Sequence, residues 1–250
     1  MIELCKVTAG YGRQAVLRDV TAAFPEGCLT SILGVNGCGK STLLKAVLGM
    51  LPPEGGSIRI DGQSLDAFSR NALARKVAYL SQGRNTPDMT VEQLVLHGRF
   101  PHLSYPRRYT HRDRDIARGA MERLGITDLA SKPLTALSGG MRQNAYIAMA
   151  LAQETDYVLL DEPTTYLDIP HQLSLMRTLR TLADGGKGVV AVTHDLQLAF
   201  TFSDRILLLK DGTVAAAGTP EELCRQNLVE QTLGVSLEPS ERGYICRYPG

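Results

Sequence analysis

Three short stretches of this 250-residue chain carry residues whose types and spacing suit phosphate chemistry. Gly34-Val35-Asn36-Gly37-Cys38-Gly39-Lys40-Ser41 fits the pattern G-x-x-x-x-G-K-[ST]. Glycines at Gly34, Gly37 and Gly39 let the backbone curl so that successive amides, including those of Asn36 and Cys38, point at phosphate oxygens. A following helix adds its partial positive charge. Lys40 would bridge the terminal phosphates of a nucleotide, the Ser41 hydroxyl would coordinate magnesium, and Thr42 would bond a further phosphate oxygen. Cys38 lies where the helix dipole and Lys40 could depress a thiol pKa, so alkylation there should block ATP binding. The simpler reading of Cys38 is a small residue tolerated in a tight loop. The second stretch, Asp161-Glu162, follows the apolar run Tyr157 to Leu160. There Asp161 suits magnesium and Glu162 suits orienting or deprotonating an attacking water. His194 follows a third run, Val189 to Thr193, and could hydrogen-bond a γ-phosphate. A lone histidine at such a place is more often structural.

These groups need elements to hold them. The alternation predicts strands over Ile2 to Val7, Ala15 to Phe24 and Leu29 to Leu33, the last feeding the glycine loop. Thr42 to Met50 has helical spacing of Leu43, Leu44, Val47 and Leu48. Ser57 to Ile60 before Asp61-Gly62, and Ile206 to Leu209 before Asp211-Gly212, predict strands entering tight hairpins. Tyr157 to Leu160 and Val189 to Val192 are continuous apolar runs suited to a parallel sheet covered on both faces, whose carboxyl edge is where ligands bind. Between about residues 84 and 155 the apolar spacing turns helical, which predicts an inserted helical subdomain. Residues 223 to 250 read as a C-terminal helix and an irregular tail.

Composition narrows the classes. Hydrophobic residues at 44% and charged residues at 21% are ordinary globular usage, and a net charge of +1 gives no global field for a nucleic-acid partner. Five scattered cysteines lack zinc-type spacing and fit a reduced compartment. No apolar stretch reaches spanning length, so the chain is not expected to cross a membrane itself.

Together these stretches resemble the ATP-binding cassette family, in its nucleotide-binding subunit form, from residue 2 to about residue 222. The resemblance adds Leu137-Ser138-Gly139-Gly140-Met141-Arg142-Gln143, similar to the family signature. It implies that Ser138, Gly139 and Gly140 bind the γ-phosphate held by a second copy of the chain. Tyr11 stands where the family stacks an aromatic ring on adenine. Gln82 matches the glutamine that senses magnesium and links the site to a transmembrane partner, and Asp168 matches the loop that crosses between copies. The implied fold is α/β, a P-loop NTPase (RecA-like) core with an antiparallel β subdomain and the inserted helical subdomain. The implied cofactors are ATP and Mg2+.

Within the family, residues 95–102 and 167–172 look like segments from importers of iron siderophores, haem and cobalamin. That implies a homodimer of ATPase subunits beneath two transmembrane permease subunits at the cytoplasmic face of the cell membrane, served indirectly by an external substrate-binding protein. Residues 83–112 would receive a helix of the permease. The basic stretch around Arg107, Arg108, Arg112 and Arg114 reads better as a solvated loop than as a nucleic-acid surface. An exporter subunit, a soluble cassette acting on ribosomes or DNA, and a nucleotide-binding module without turnover are the alternatives.

Overall fold

The computed structural model describes residues 1–12, 14–83, 86–165, 167–240 and 243–247. The chain divides into two compact units, one formed by residues 1–68 with 179–250 and the other by residues 69–178. In chain order the first unit opens with β1 (Ile2–Tyr11), β2 (Gln14–Phe24), β3 (Leu29–Leu33), α1 (Lys40–Val47), β4 (Gly55–Ile60) and β5 (Gln63–Ser64). The second unit holds α2 (Arg70–Lys76), β6 (Val77–Leu80), α3 (Val91–His97), α4 (His111–Arg123), α5 (Gly139–Ala152) and β7 (Tyr157–Asp161). Helix α6 (Ile169–Asp184) contains the division. After it come β8 (Gly188–Val192), α7 (Leu196–Phe202), β9 (Arg205–Lys210), β10 (Thr213–Gly218), α8 (Pro220–Arg225), α9 (Leu228–Leu233), β11 (Ser236–Ser240) and β12 (Gly243–Arg247).

In the first unit, β3 lies between β8 and β9 and is parallel to both. Every residue of β3 and β8 is buried; the β8 run is continuously apolar rather than alternating, while β3 carries two buried hydroxyls, of which Ser31 pairs with Ser203 at 2.7 Å. β10 returns antiparallel along β9 through the left-handed pair Asp211-Gly212. A separate antiparallel sheet is built by β1 between β2 and β4, with β5 at its edge. β1 reaches Tyr11, beyond the Val7 limit expected from alternation. Lys6 takes a positive φ of 48°, the register with β2 shifts between Leu4 and Val7, and the Lys6 amide donates to Thr21 Oγ1 at 3.1 Å. A bulge inserts a residue, and the alternation breaks while the strand continues.

The second unit has a parallel pair, β6 beside β7, with Val77 opposite Tyr157 and Leu80 opposite Leu160. Its helices start on side-chain caps: Ser69 accepts from the Ala72 amide, and Thr90 and Thr110 form capping boxes with Gln93 and Asp113. Arg99, 4% exposed, ties three of these helices together. Its Nε donates to Asp113 Oδ1 at 3.0 Å, and its Nη1 donates to Ala152 O at 2.7 Å and Glu154 Oε2 at 2.8 Å. Burial pushes the Asp113 carboxyl up, but hydrogen bonds from Thr110 and Arg99 outweigh it and hold the group below its ordinary 3.8.

The C-terminal segment departs from the helix and irregular tail expected for it. α8 and α9 are followed by a two-stranded hairpin, β11 against β12, with Leu237 paired to Cys246 and buried in a cluster with Phe200, Leu223 and Val229. Tyr244 meets Phe200 edge to face with ring centroids 5.5 Å apart. Pro239 argues against a strand in the sequence, yet an edge strand tolerates it.

Arg99→Ala strands the buried Asp113 carboxylate. The variant should lose about 3–5 kcal/mol of unfolding free energy in denaturant titrations at neutral pH. Because the folded Asp113 pKa is depressed, its contribution is present above the unfolded carboxylate pKa and fades as pH falls through the folded one. The gap between wild type and Asp113→Asn should therefore narrow under acid.

Candidate nucleotide site

In the first unit the glycine loop leaves the carboxyl end of β3 and enters α1 at Gly39, the residue before the helix. Val35, Asn36 and Gly37 form its exposed rim, while Cys38, Gly39 and Lys40 are buried. Lys40 is 6% exposed, and its Nζ donates to Gly34 O at 2.7 Å and Val35 O at 3.1 Å. Two of the three ammonium protons are satisfied by loop carbonyls. Gly34 is required by close approach, since a Cβ there would stand 2.2 Å from Leu209 O and 2.6 Å from Cys38 Sγ. The Gly212 amide donates to Cys38 O at 3.1 Å and fixes the loop to the β9–β10 turn. Ser41 and Thr42 lie in the first turn of α1, which starts at Lys40 rather than Thr42, so the first amides of the helix belong to the loop itself.

His194 sits on the same edge. Ile32 of β3 is opposite Val192 of β8, and the Thr193 amide extends the pairing by donating to Ile32 O at 3.3 Å. Beyond it Asp195 caps α7, accepting from the Leu198 amide at 2.9 Å. The backbone of His194 is thus fixed on both sides while its side chain is exposed. Tyr11, 51% exposed at the end of β1, keeps its ring beside α1, with Lys45 Nζ 5.7 Å from the ring centroid and 3.3 Å from the hydroxyl. The loop, Tyr11 and His194 therefore belong to one unit.

Cys38 corrects an expectation. Burial pushes its thiol above the ordinary 9.0, and the nearby Lys40 charge pulls it back without winning. The loop closes over this sulfur at 4% exposure, so the thiol is neither depressed nor readily attacked.

In the second unit Asp161 ends β7 at 3% exposure and accepts from the Tyr79 hydroxyl at 3.4 Å. Glu162 follows with a left-handed φ of 49°, turning its carboxylate out of the strand line. Gln82 Nε2 donates to Glu162 Oε2 at 2.6 Å, and Thr165 Oγ1 donates to the same oxygen at 3.1 Å. Gln82, Asp161 and Glu162 line a cleft of about 240 Å³ together with Gly139, Arg142 and Tyr146. Ser138 is the cap of α5, accepting from the Met141 amide at 3.3 Å, so Gly139 and Gly140 open the helix with amides that need partners. Asp168, exposed, accepts from His171 through both its imidazole Nδ1 and its main-chain amide. Tyr79 and Thr165 have no signature in the sequence, because a single hydroxyl carries no pattern until its partner carboxylate is located.

The geometry can be weighed against the needs of a nucleotide and its metal. A buried cation in a curled loop at a helix start suits polyphosphate, and Asp161 with the Gln82 side-chain carbonyl are hard oxygen donors of the kind magnesium takes. Known proteins agree. Residues 17–165 match the model of the ABC transporter family. The chain belongs to the ABC transporter family. This cassette is an ATPase of that family. The matched span takes in the glycine loop, Gln82, the signature and Asp161-Glu162, while Tyr11, Asp168 and His194 lie outside it.

Among curated relatives, the cassette is 40% identical over 232 residues to the ferric enterobactin transport ATP-binding protein FepC of Escherichia coli, covering 92% of this chain and 86% of that one. It is 40% identical over 231 residues to the iron(3+)-hydroxamate import ATP-binding protein FhuC of Bacillus subtilis, at 92% and 86% coverage. Among solved structures, the bacterial ABC transporter cassette MJ0796, described as dimeric, is 30% identical with a TM-score of 0.77, covering 88% of this chain and 99% of that one.

Native cassette treated with iodoacetamide near neutral pH should be modified first at exposed Cys5 and only on unfolding at Cys38, read by peptide mass spectrometry. Early labelling of Cys38 with loss of ATP binding would restore the reactive-thiol reading.

Proposed function

We propose that this cassette binds and hydrolyses ATP to drive import of iron-siderophore, haem or cobalamin-type cargo through a transmembrane permease. The observation that carries the reading is the 40% identity to FepC across nearly the whole of both chains. FhuC, named for iron(3+)-hydroxamate import, supports the same cargo class. No helix among the described residues is long and apolar enough to cross a membrane. On the likeness to these import subunits we assign the path for cargo to two permease subunits, with an external binding protein delivering to them and this chain docked peripherally at the cytoplasmic face.

The residue roles follow from the chemistry of each group. Tyr11 stacks on adenine, and the Asn36 to Gly39 amides with Lys40 and Thr42 hold the phosphates. Ser41, Asp161 and Gln82 are the proposed magnesium ligands; when bound, the ion neutralises charge on the terminal phosphates. Glu162 orients and deprotonates the attacking water, its carboxylate fixed by Gln82 and Thr165. His194 hydrogen-bonds the γ-phosphate. Ser138, Gly139 and Gly140 act on the nucleotide of a second copy, with Asp168 beside them.

Val35 in the glycine loop is 53% exposed, Met141 in the signature 44% and Ile169 next to Asp168 72%, so each is open to contact by a second copy. The dimeric MJ0796 cassette has also been solved after hydrolysis with ADP and Pi bound, at a TM-score of 0.75. That relative supports a dimer here; we assign it a head-to-tail arrangement that closes on ATP and reopens after hydrolysis and phosphate release.

Glu162→Gln should lose roughly 10²–10⁴-fold in turnover while retaining ATP and accumulating dimer, seen in ATPase assays and sedimentation. Wild-type turnover by this variant would remove Glu162 from its role. For cargo, the cassette reconstituted with its permease and binding protein should take up one of ferric siderophore, haem or cobalamin in an ATP-dependent manner. Uptake of none would sink the importer assignment.

A further inference from the structure

His171 occupies the first turn of α6 and touches two loops to which the proposed mechanism assigns nucleotide contacts. On one side its Nδ1 and main-chain amide both donate to Asp168 Oδ1, the latter at 3.1 Å. These bonds hold the Asp168 carboxyl below its ordinary 3.8, so the group is an ionised acceptor. An ionised carboxylate only accepts, so Nδ1 carries the proton of this hydrogen bond. On the other side the ring lies against the second residue of α5. A Cβ on Gly140 would stand 2.5 Å from His171 Cδ2 and 2.9 Å from Nε2, so only glycine leaves room for the imidazole.

The neighbouring side chain completes the hold. Gln172 Nε2 donates to Leu167 O at 3.1 Å and to Thr164 O at 3.4 Å, and its amide donates to Asp168 O at 2.9 Å. Thr165, inside the loop so gripped, is the residue that donates to Glu162. The path from the Glu162 carboxylate to the signature backbone is therefore continuous, and His171 is the link through which Asp168 and Gly140 are held at a common distance.

We infer that His171 is a positioning residue for ATP hydrolysis, its imidazole bridging the Asp168 carboxylate and the Gly140 backbone so that the interface loop and the signature present together. The inference rests on the proposal that Ser138 to Gly140 and Asp168 act on nucleotide held with a second copy. A residue with this role contributes to the closed, reacting state and not to first capture of ATP by the Lys40 loop. Its loss should appear in kcat more than in nucleotide affinity.

The test is a substitution series at His171 in the full chain, assayed for kcat, KM and equilibrium binding of a fluorescent ATP analogue. An asparagine places its Nδ2 near the position of Nδ1 and can still donate to Asp168; a phenylalanine keeps the ring against Gly140 without a donor. His171→Ala and His171→Phe should each lower kcat about tenfold, the scale of one charge-assisted hydrogen bond, with analogue binding unchanged. His171→Asn should recover most of the rate. Wild-type kcat in His171→Phe, or a His171→Asn variant no faster than His171→Phe, overturns the inference even where His171→Ala misfolds. Ser138→Ala and Glu162→Gln are measured alongside. Full turnover in those two would overturn the parent reading, whereas their impairment with an unaffected His171 series overturns the inference alone.

Discussion

A lysine ammonium at 6% exposure constrains everything around it. Burying such a charge without partners costs several kcal/mol, so the chain must bring acceptors to Lys40 or leave the site unformed. It does so by folding the glycine loop back until the carbonyls of Gly34 and Val35 reach Nζ. That path runs so close to Leu209 O and Cys38 Sγ that no side chain fits at Gly34. The loop can be held there only because β9 lies parallel to β3, which places the β9–β10 turn beside Cys38. The same parallel register with β8 sets His194 on the edge from which the loop emerges. Two neutral carbonyls satisfy hydrogen bonding but not charge, and the first amides of α1 add to the positive field. Polyphosphate is an anion whose charge this arrangement suits.

The second unit has the opposite character. Asp161 and Glu162 put two carboxylates at the end of one strand, a placement that repels itself unless donors intervene. Tyr79 donates to the first, and Gln82 with Thr165 to the second. The left-handed turn at Glu162 separates the two roles, one carboxylate staying in the strand line at 3% exposure and the other turning out into the cleft. Taken by itself, the first unit suits an anion at Lys40, and the second offers carboxylate oxygens of the kind a hard cation takes.

What could be read from the residues in order was whatever is local in sequence. The glycine loop, the Asp161-Glu162 pair after an apolar run and the two Asp-Gly hairpins are each set by neighbours a few positions apart. What could not be read depends on contacts between elements. Tyr79 and Thr165 gain meaning only beside their carboxylates. Cys38 was read through the charge of Lys40, but burial, which no spacing reveals, decides its thiol. The C-terminal hairpin hides behind Pro239 and becomes a strand pair because Leu237 and Tyr244 find the face of Phe200. His171 stood inside a segment noted only for its likeness to importers, and its ring contact with Gly140 is visible only in three dimensions.

The exposed apolar side chains allow an estimate of how tightly two copies could hold one another without nucleotide. Covering the exposed portions of Val35, Met141 and Ile169 on both copies would contribute about 5–10 kcal/mol. Association costs about 4–15 kcal/mol in lost translational and rotational freedom. Apolar contact at these three residues thus lies within the range of the cost and does not by itself secure the proposed pair. Phosphate contacts from the signature amides, each charge-assisted and worth about 1.5–3 kcal/mol, are of the size that reverses the balance. In the proposed pair, closure would then follow the γ-phosphate, forming while Ser138 to Gly140 have an anion to bind.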